Sequence, residues 1–197
     1  KAAFDTEFRI RLASGGLRYL GAAAKVERGD DGRPLRVTGI NWDMTSRRKA
    51  EEAFKKSEEQ LRLLLDSTAE AIYGVDLEGK CTFVNPACLR MLGYTDSSQL
   101  LGYNMHRLIH HSYADGRSMP EESCNIYLAF REGLGVHRDD EVLWKAEGSS
   151  FPAEYWSFPQ KMEGKILGAV VAFVDITDRK RAEEALTVAS RNLEAQV

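Results

Sequence analysis

Asp175-Ile176-Thr177-Asp178-Arg179-Lys180-Arg181-Ala182-Glu183-Glu184-Ala185-Leu186 decides how this chain is read, because nearly the same segment stands 132 positions earlier. The first copy is Asp43-Met44-Thr45-Ser46-Arg47-Arg48-Lys49-Ala50-Glu51-Glu52-Ala53-Phe54. Each copy closes a run of strand-like sequence and opens a charged helical pattern. A repeat at this spacing, with a helix between the copies, predicts domains in series joined by helical connectors. Function is then expected to pass along the chain from one domain to the next.

Downstream of the first copy, Ala50, Phe54, Ser57, Leu61 and Leu64 are spaced four, three, four and three apart, the spacing of a coiled-coil seam. Ala182, Leu186, Ala189 and Leu193 keep the same phase after the second copy. Phe54, Leu61, Leu64, Leu186 and Leu193 are therefore the expected seam of a parallel homodimer. Thr45 and Thr177 stand where helix N-caps are expected. Asp43 and Asp175, at the ends of the preceding strands, can cap the same helices or pair with a nearby Arg. These four residues are the expected signal-relay joints.

Upstream of Asp43, residues 5–12, 18–27 and 34–43 read as three antiparallel strands, with a hairpin signal at Asp30-Asp31-Gly32. Three strands without a partner helix are marginal alone, so they look like the tail of a domain and could pair with a second copy of the chain. Between the repeats, strands are expected at 71–77 and 80–85 and a helix at 86–92. Short pieces follow to Ile109, then a polar loop, a long helix at 120–132, and strands at 137–146, 150–160 and 165–174. The expected division is 1–45 (terminal strands of an upstream domain), 46–66 (helical linker), 67–176 (a complete α+β domain) and 177–197 (an exit connector helix).

The 197 residues carry 27 basic and 30 acidic side chains, a net charge of −3 and a pI near 5.9, which argues against a nucleic-acid surface. The longest apolar runs are too short to span a membrane, so no membrane contact is expected from this segment. Cys81, Cys88 and Cys124 contain no CxxC pair and fit reduced thiols in the cytoplasm. The chain opens at Lys1 and reads as a piece of a longer protein, whose other parts have room for a membrane anchor.

The order of two strands, several helices and three strands, closed by Asp175-Ile176-Thr177-Asp178-Arg179-Lys180-Arg181-Ala182-Glu183, resembles the PAS family of sensory domains. Further matching pieces are Asn85-Pro86-Ala87, Met91-Leu92-Gly93-Tyr94, Leu108-Ile109-His110 and the hairpin Trp144–Pro152. The resemblance covers 67–176, and the first 45 residues are similar to the last three strands of such a domain. It implies a five-stranded antiparallel sheet with helices on one face, enclosing a pocket, together with helical coiled-coil connectors. It also implies sensing and relay in a bacterial signalling protein, with a downstream output domain in the same parent chain. A histidine kinase of a two-component system is the expected output. A diguanylate cyclase, or a ligand-free dimerisation scaffold, is the alternative.

A pocket of this kind invites a cofactor or a small-molecule ligand, whose identity is left unknown. Flavin photosensors of the fold carry a cysteine in G-x-N-C-R-F-L-Q. Here the matching stretch is Gly102-Tyr103-Asn104-Met105-His106-Arg107-Leu108-Ile109, and Met105 replaces the thiol, so flavin photochemistry is not expected. Haem would call for an axial His on the long helix, and 120–132 has none. The weak candidates for cofactor binding are His106, His110, Cys124 and Trp156. His110 and His111 read as solvated loop histidines, and Cys124, four residues into a helix, as a small core residue. His110, His111, Cys124 and His137 match no compact zinc spacing, so no metal site is assigned. Tyr155 and Trp156 alternate, so only one of them can face inward. No phosphate loop, placed nucleophile or HExxH motif is present, and no catalytic residue is assigned.

Overall fold

The computed structural model describes the backbone of residues 2–194 and the side chains of residues 5–192. The chain divides into two compact units, residues 1–63 and 64–197.

In the first unit β1 (Ala2–Arg11), β2 (Leu17–Arg28) and β3 (Pro34–Asp43) form an antiparallel sheet in that order. Most of its side chains remain exposed, Leu35, Val37 and Ile40 among them, and Ala22 is one of its few buried apolar residues. Helix α1 (Thr45–Asp66) starts immediately after β3 and carries no buried residue.

The second unit is the α+β architecture expected. Strands β4 (Ala71–Asp76), β5 (Cys81–Val84), β6 (Val136–Trp144), β7 (Ser150–Met162) and β8 (Lys165–Asp175) make a five-stranded antiparallel sheet of order β5-β4-β8-β7-β6. Alternation along β7 buries Phe151, Ala153, Tyr155 and Ser157 while the residues between them face out. Between β5 and β6 come α2 (Pro86–Leu92), α3 (Met105–Ile109) and α4 (Asn125–Glu132), which close the inner face. The core joins Tyr73, Val171 and Phe173 from the sheet to Leu92, Ile109, Tyr127 and Phe130 from the helices. Helix α5 (Thr177–Glu194) leaves from the end of β8.

Asn85 explains the sharp entry into α2. Its buried side chain accepts from Cys88 N as the N-cap and from Ile72 N across the sheet. Its amide donates to Leu65 O, Thr68 Oγ1 and Glu70 O. With Pro86 at the first helical position, the pair fixes the strand-to-helix turn.

Two expectations need correction here. The single helix expected at 120–132 is broken: Glu121–Ser123 is one 3-10 turn, Cys124 is extended (φ −72°, ψ 112°), and α4 begins after it. Cys124 is thus the N-cap of α4 rather than an interior helical residue. The break turns its thiol toward α3, where side-chain contacts replace the helical backbone bonds. The second correction concerns His110, expected in solvent but wholly buried.

Candidate functional site

Three elements converge in the core of the second unit. His106 in α3 and His110 at its C-cap stand one turn apart, so their rings share a helix face, with centroids 6.1 Å apart. Cys124 is presented by the break before α4. One ring nitrogen of each histidine and Cys124 Sγ lie within 4.8 Å of one another, and all three residues are buried.

His110 is held from both sides. Its Nδ1 is 3.2 Å from Cys124 Sγ, and its Nε2 is 2.8 Å from Glu141 Oε2 on β6. Glu141 also accepts from Tyr155 Oη at 2.6 Å and from the Asn125 amide. The line Cys124–His110–Glu141–Tyr155 therefore runs from the helices onto the sheet. Burial opposes charge at each titrating member, and at Glu141, His110 and Cys124 the contacts override it. Glu141 falls to about 2 despite burial, through His110 and Tyr155. Burial alone would depress His110, but Cys124 and Glu141 hold it above the usual imidazole range. Burial would raise Cys124, but His106 and His110 pull it below an ordinary thiol. Tyr155 is pushed far up by burial and by the Glu141 charge and stays protonated. The arrangement stabilises a thiolate beside an imidazolium.

His106 differs. Its Nε2 lies 3.0 Å from Met119 O, a group that can only accept, so Nε2 carries the proton. Its Nδ1 is buried and has no partner. Tyr73 Oη is likewise buried without a partner, and a charge on Cys124 helps to raise its pKa, after burial. Cys81 and Cys88 are ordinary core thiols by comparison, because burial pushes Cys81 up to about 11 and Cys88 further.

Among the sequence candidates, the fold brings His106, His110 and Cys124 together and leaves Trp156 out. Trp156 faces away from the helices and stacks on His137, with ring centroids 4.8 Å apart. Tyr155 takes the inward position. His111 stacks on Trp144 and bonds Ser112, so neither it nor His137 joins the group. Glu141 was missed, although counting back in twos from the inward Leu143 places a carboxylate on the inner face.

The repeated segments form closely similar joints. Met44 N donates to Tyr19 O, and Ile176 N to Pro152 O. Thr45 and Thr177, expected as N-caps, are instead the first helical residues, since Met44 O and Ile176 O accept the first helical bonds. Thr45 N and Thr177 N donate to the carboxylates of Asp43 and Asp175 at 2.9 and 2.8 Å. Tyr19 N donates to Thr45 Oγ1. Pro152 has no N–H to offer, and Thr177 Oγ1 turns to Asp175 instead. Asp43 further pairs with Arg18 at 2.9 Å. At the second joint Arg179 in the first turn of α5 reaches back to Glu154 Oε2 at 2.7 Å and Asp139 at 3.5 Å. The position matching Glu154 in the first joint is Gly21, so Arg47 pairs within α1 with Glu51.

Phe54, Leu61 and Leu64 on α1 and Leu186 on α5 are all exposed. The side chain of Leu193 lies outside the described residues. No described helix is long and apolar enough to cross a membrane.

An antiparallel sheet of this order with helices closing one face, a buried polar cluster beneath them and a helix leaving its last strand defines a small sensory α+β domain. The PAS fold model matches residues 59–176, and the chain belongs to that family. PAS domains are regulatory sensors rather than catalytic units. Among curated proteins, the probable diguanylate cyclase DgcE of Escherichia coli (strain K12) is 31% identical over 182 residues, covering 92% of this chain and 16% of that protein. The uncharacterised protein y4lL of Sinorhizobium fredii is 28% identical over 189 residues, covering 96% and 22%. The chain thus spans about a fifth of these relatives. Among solved structures, an RNA-binding light-oxygen-voltage receptor aligns with a TM-score of 0.52 at 15% identity, over 96% of this chain and 82% of that one. A PAS domain from Colwellia psychrerythraea aligns with a TM-score of 0.51 at 19% identity, over 61% and 97%. Both likenesses concern the fold alone.

Proposed function

We propose that this chain is a cytoplasmic sensing and relay region that controls an output domain through α5. The observation that carries the reading is the grip of Arg179 on Glu154 and Asp139. It ties the first turn of the exit helix to two sheet strands, beside the Asp175–Thr177 cap. A rearrangement of β6 or β7 then has a direct path to the helix, as a two-state relay requires. Likeness to a probable diguanylate cyclase supports a cyclase as output. A histidine kinase of a two-component system is the other output this reading admits.

The test is Arg179→Ala in the parent protein, with cyclic di-GMP synthesis and ATP-dependent autophosphorylation both assayed. The activity that is present identifies the output, and its basal level is expected to shift severalfold. A level equal to wild type, with Lys180→Ala as control, overturns the relay.

PAS domains commonly dimerise, and we place the seam on Phe54, Leu61 and Leu64 of α1 and on Leu186 and Leu193 of α5. The four described side chains are between 61% and 73% exposed at heptad-compatible spacing, which suits burial against a second copy. Leu61→Gln with Leu64→Gln and Leu186→Gln is expected to raise the dimer dissociation constant at least about tenfold in ultracentrifugation. An unchanged constant removes the seam. A second reading, a ligand-free dimerisation scaffold, is favoured by the fully buried Tyr73, Tyr127, Tyr155 and Phe173 that fill the domain centre. It predicts that Arg179→Ala leaves output unchanged while the seam variant still dissociates.

A further inference from the structure

We infer that His106, His110 and Cys124 are the ligand set for one soft or borderline transition-metal ion, copper(I) or zinc(II), in the core of this domain. The inference goes beyond the relay reading and is independent of which output domain follows.

The donor types come first. Two imidazoles and a thiolate suit copper(I) and zinc and are poor partners for magnesium or calcium. Geometry supplies the second argument. The three donor atoms already lie within 4.8 Å of one another. His110 Nδ1 and Cys124 Sγ are 3.2 Å apart. Bonds of about 2.0 Å to nitrogen and 2.3 Å to sulfur at a tetrahedral angle need about 3.5 Å, so the pair opens by only a few tenths of an ångström.

The outer partners are what distinguish a ligand site from two histidines that happen to be neighbours. His106 donates Nε2–H to Met119 O, and its Nδ1 is buried without a hydrogen-bond partner. His110 turns Nε2 to Glu141, whose other bonds come from Tyr155 and Asn125. His106 is anchored by Nε2 on Met119 O and His110 faces the Glu141 carboxylate at 2.8 Å in an ion pair, the kind of outer carbonyl and carboxylate contacts that orient ligating histidines. An unpaired buried nitrogen is otherwise a cost with nothing to offset it.

Without an ion, one proton is shared between His110 Nδ1 and Cys124 Sγ. Binding places the cation there and releases that proton to solvent, so charge and protons balance. Three protein donors satisfy copper(I). Zinc needs a fourth, which a bound water supplies.

The experiment uses the reduced chain under anaerobic conditions, titrated separately with zinc(II) and copper(I) against chromophoric competing chelators. One equivalent of one of these ions is expected to bind. Cys124→Ser and His106→Gln are each expected to weaken uptake at least about 100-fold, and Glu141→Gln by about 10- to 100-fold as a positioning residue. His111→Gln should match wild type, since His111 lies outside the group. Cobalt(II) added to the wild-type chain should give a thiolate charge-transfer absorption, which reads sulfur ligation without any variant. No stoichiometric uptake of either ion by the reduced wild type, or uptake unaltered in both ligand variants, overturns the site.

Discussion

Glu141→Ala is expected to destabilise the second unit by roughly 3–5 kcal/mol, read as a fall in the urea midpoint at neutral pH. The carboxylate faces the ring of His110 at 2.8 Å and accepts from Tyr155 at 2.6 Å, with Asn125 on its other oxygen. Truncation leaves a buried imidazolium and a buried hydroxyl with no acceptor, the costly way to break an ion pair. Glu141→Gln keeps the shape and one acceptor, and should cost less than half as much. The pH dependence has a definite sign. Glu141 titrates near 4.5 when unfolded and about 2 when folded, so its contribution is complete above the first value and is lost as pH falls through the second. His110, held above its ordinary range, stays protonated throughout that window. The stability gap between wild type and Glu141→Gln should therefore narrow between pH 4.5 and 2. A gap constant over that range contradicts the assignment, as does an alanine variant of wild-type stability.

Gly168→Ala is expected to cost about 3 kcal/mol or more, because the new methyl has nowhere to go. Gly168 stands in β8 between β4 and β7, at φ +155° and opposite a register shift at Gln160 and Lys161. A Cβ there would sit 1.8 Å from Val75 O, which is backbone and cannot rotate aside. Strands β4 and β8 must separate locally to admit it. Gly148→Ala is the matched control. It also has positive φ, +87°, but a Cβ there meets no atom within 4 Å, so only about 1 kcal/mol of conformational cost is expected. Equal losses in thermal unfolding would show that backbone conformation, not the strand contact, governs Gly168.

The fold was legible in the sequence to the extent that its signals were local. Pro86 and Gly93 bracket α2 to the residue, because a proline start and a glycine stop act on neighbouring bonds. Strand β7 was readable from alternation, β8 from its apolar run Ile166 to Val174, and both from the Met162-Glu163-Gly164 turn. The break at Cys124 was not legible. Nothing in Pro120–Glu132 by itself interrupts a helix there, and the preference for an extended Cys124 comes from the imidazoles that receive its thiol. His110 was misread for a related reason. A polar loop follows it, and only the arrival of β6 with Glu141 covers the ring.

By itself the sequence determined the duplicated joint, the order of strands and helices, and the residues whose side chains meet the backbone within two or three positions. Asp43 with Thr45 and Asp175 with Thr177 are of that kind, since a carboxylate two residues ahead of an N–H is already within reach. Tertiary structure alone decided which donors share the core. His106 and His110 come from one helix, Cys124 from a break 14 residues beyond His110, and Glu141 from a strand that a bulge between Arg138 and Glu141 helps to set. Burial then did what local sequence cannot. It removed water from these groups, made the charges of Cys124, His110 and Glu141 depend on one another, and left His106 Nδ1 and Tyr73 Oη without hydrogen-bond partners.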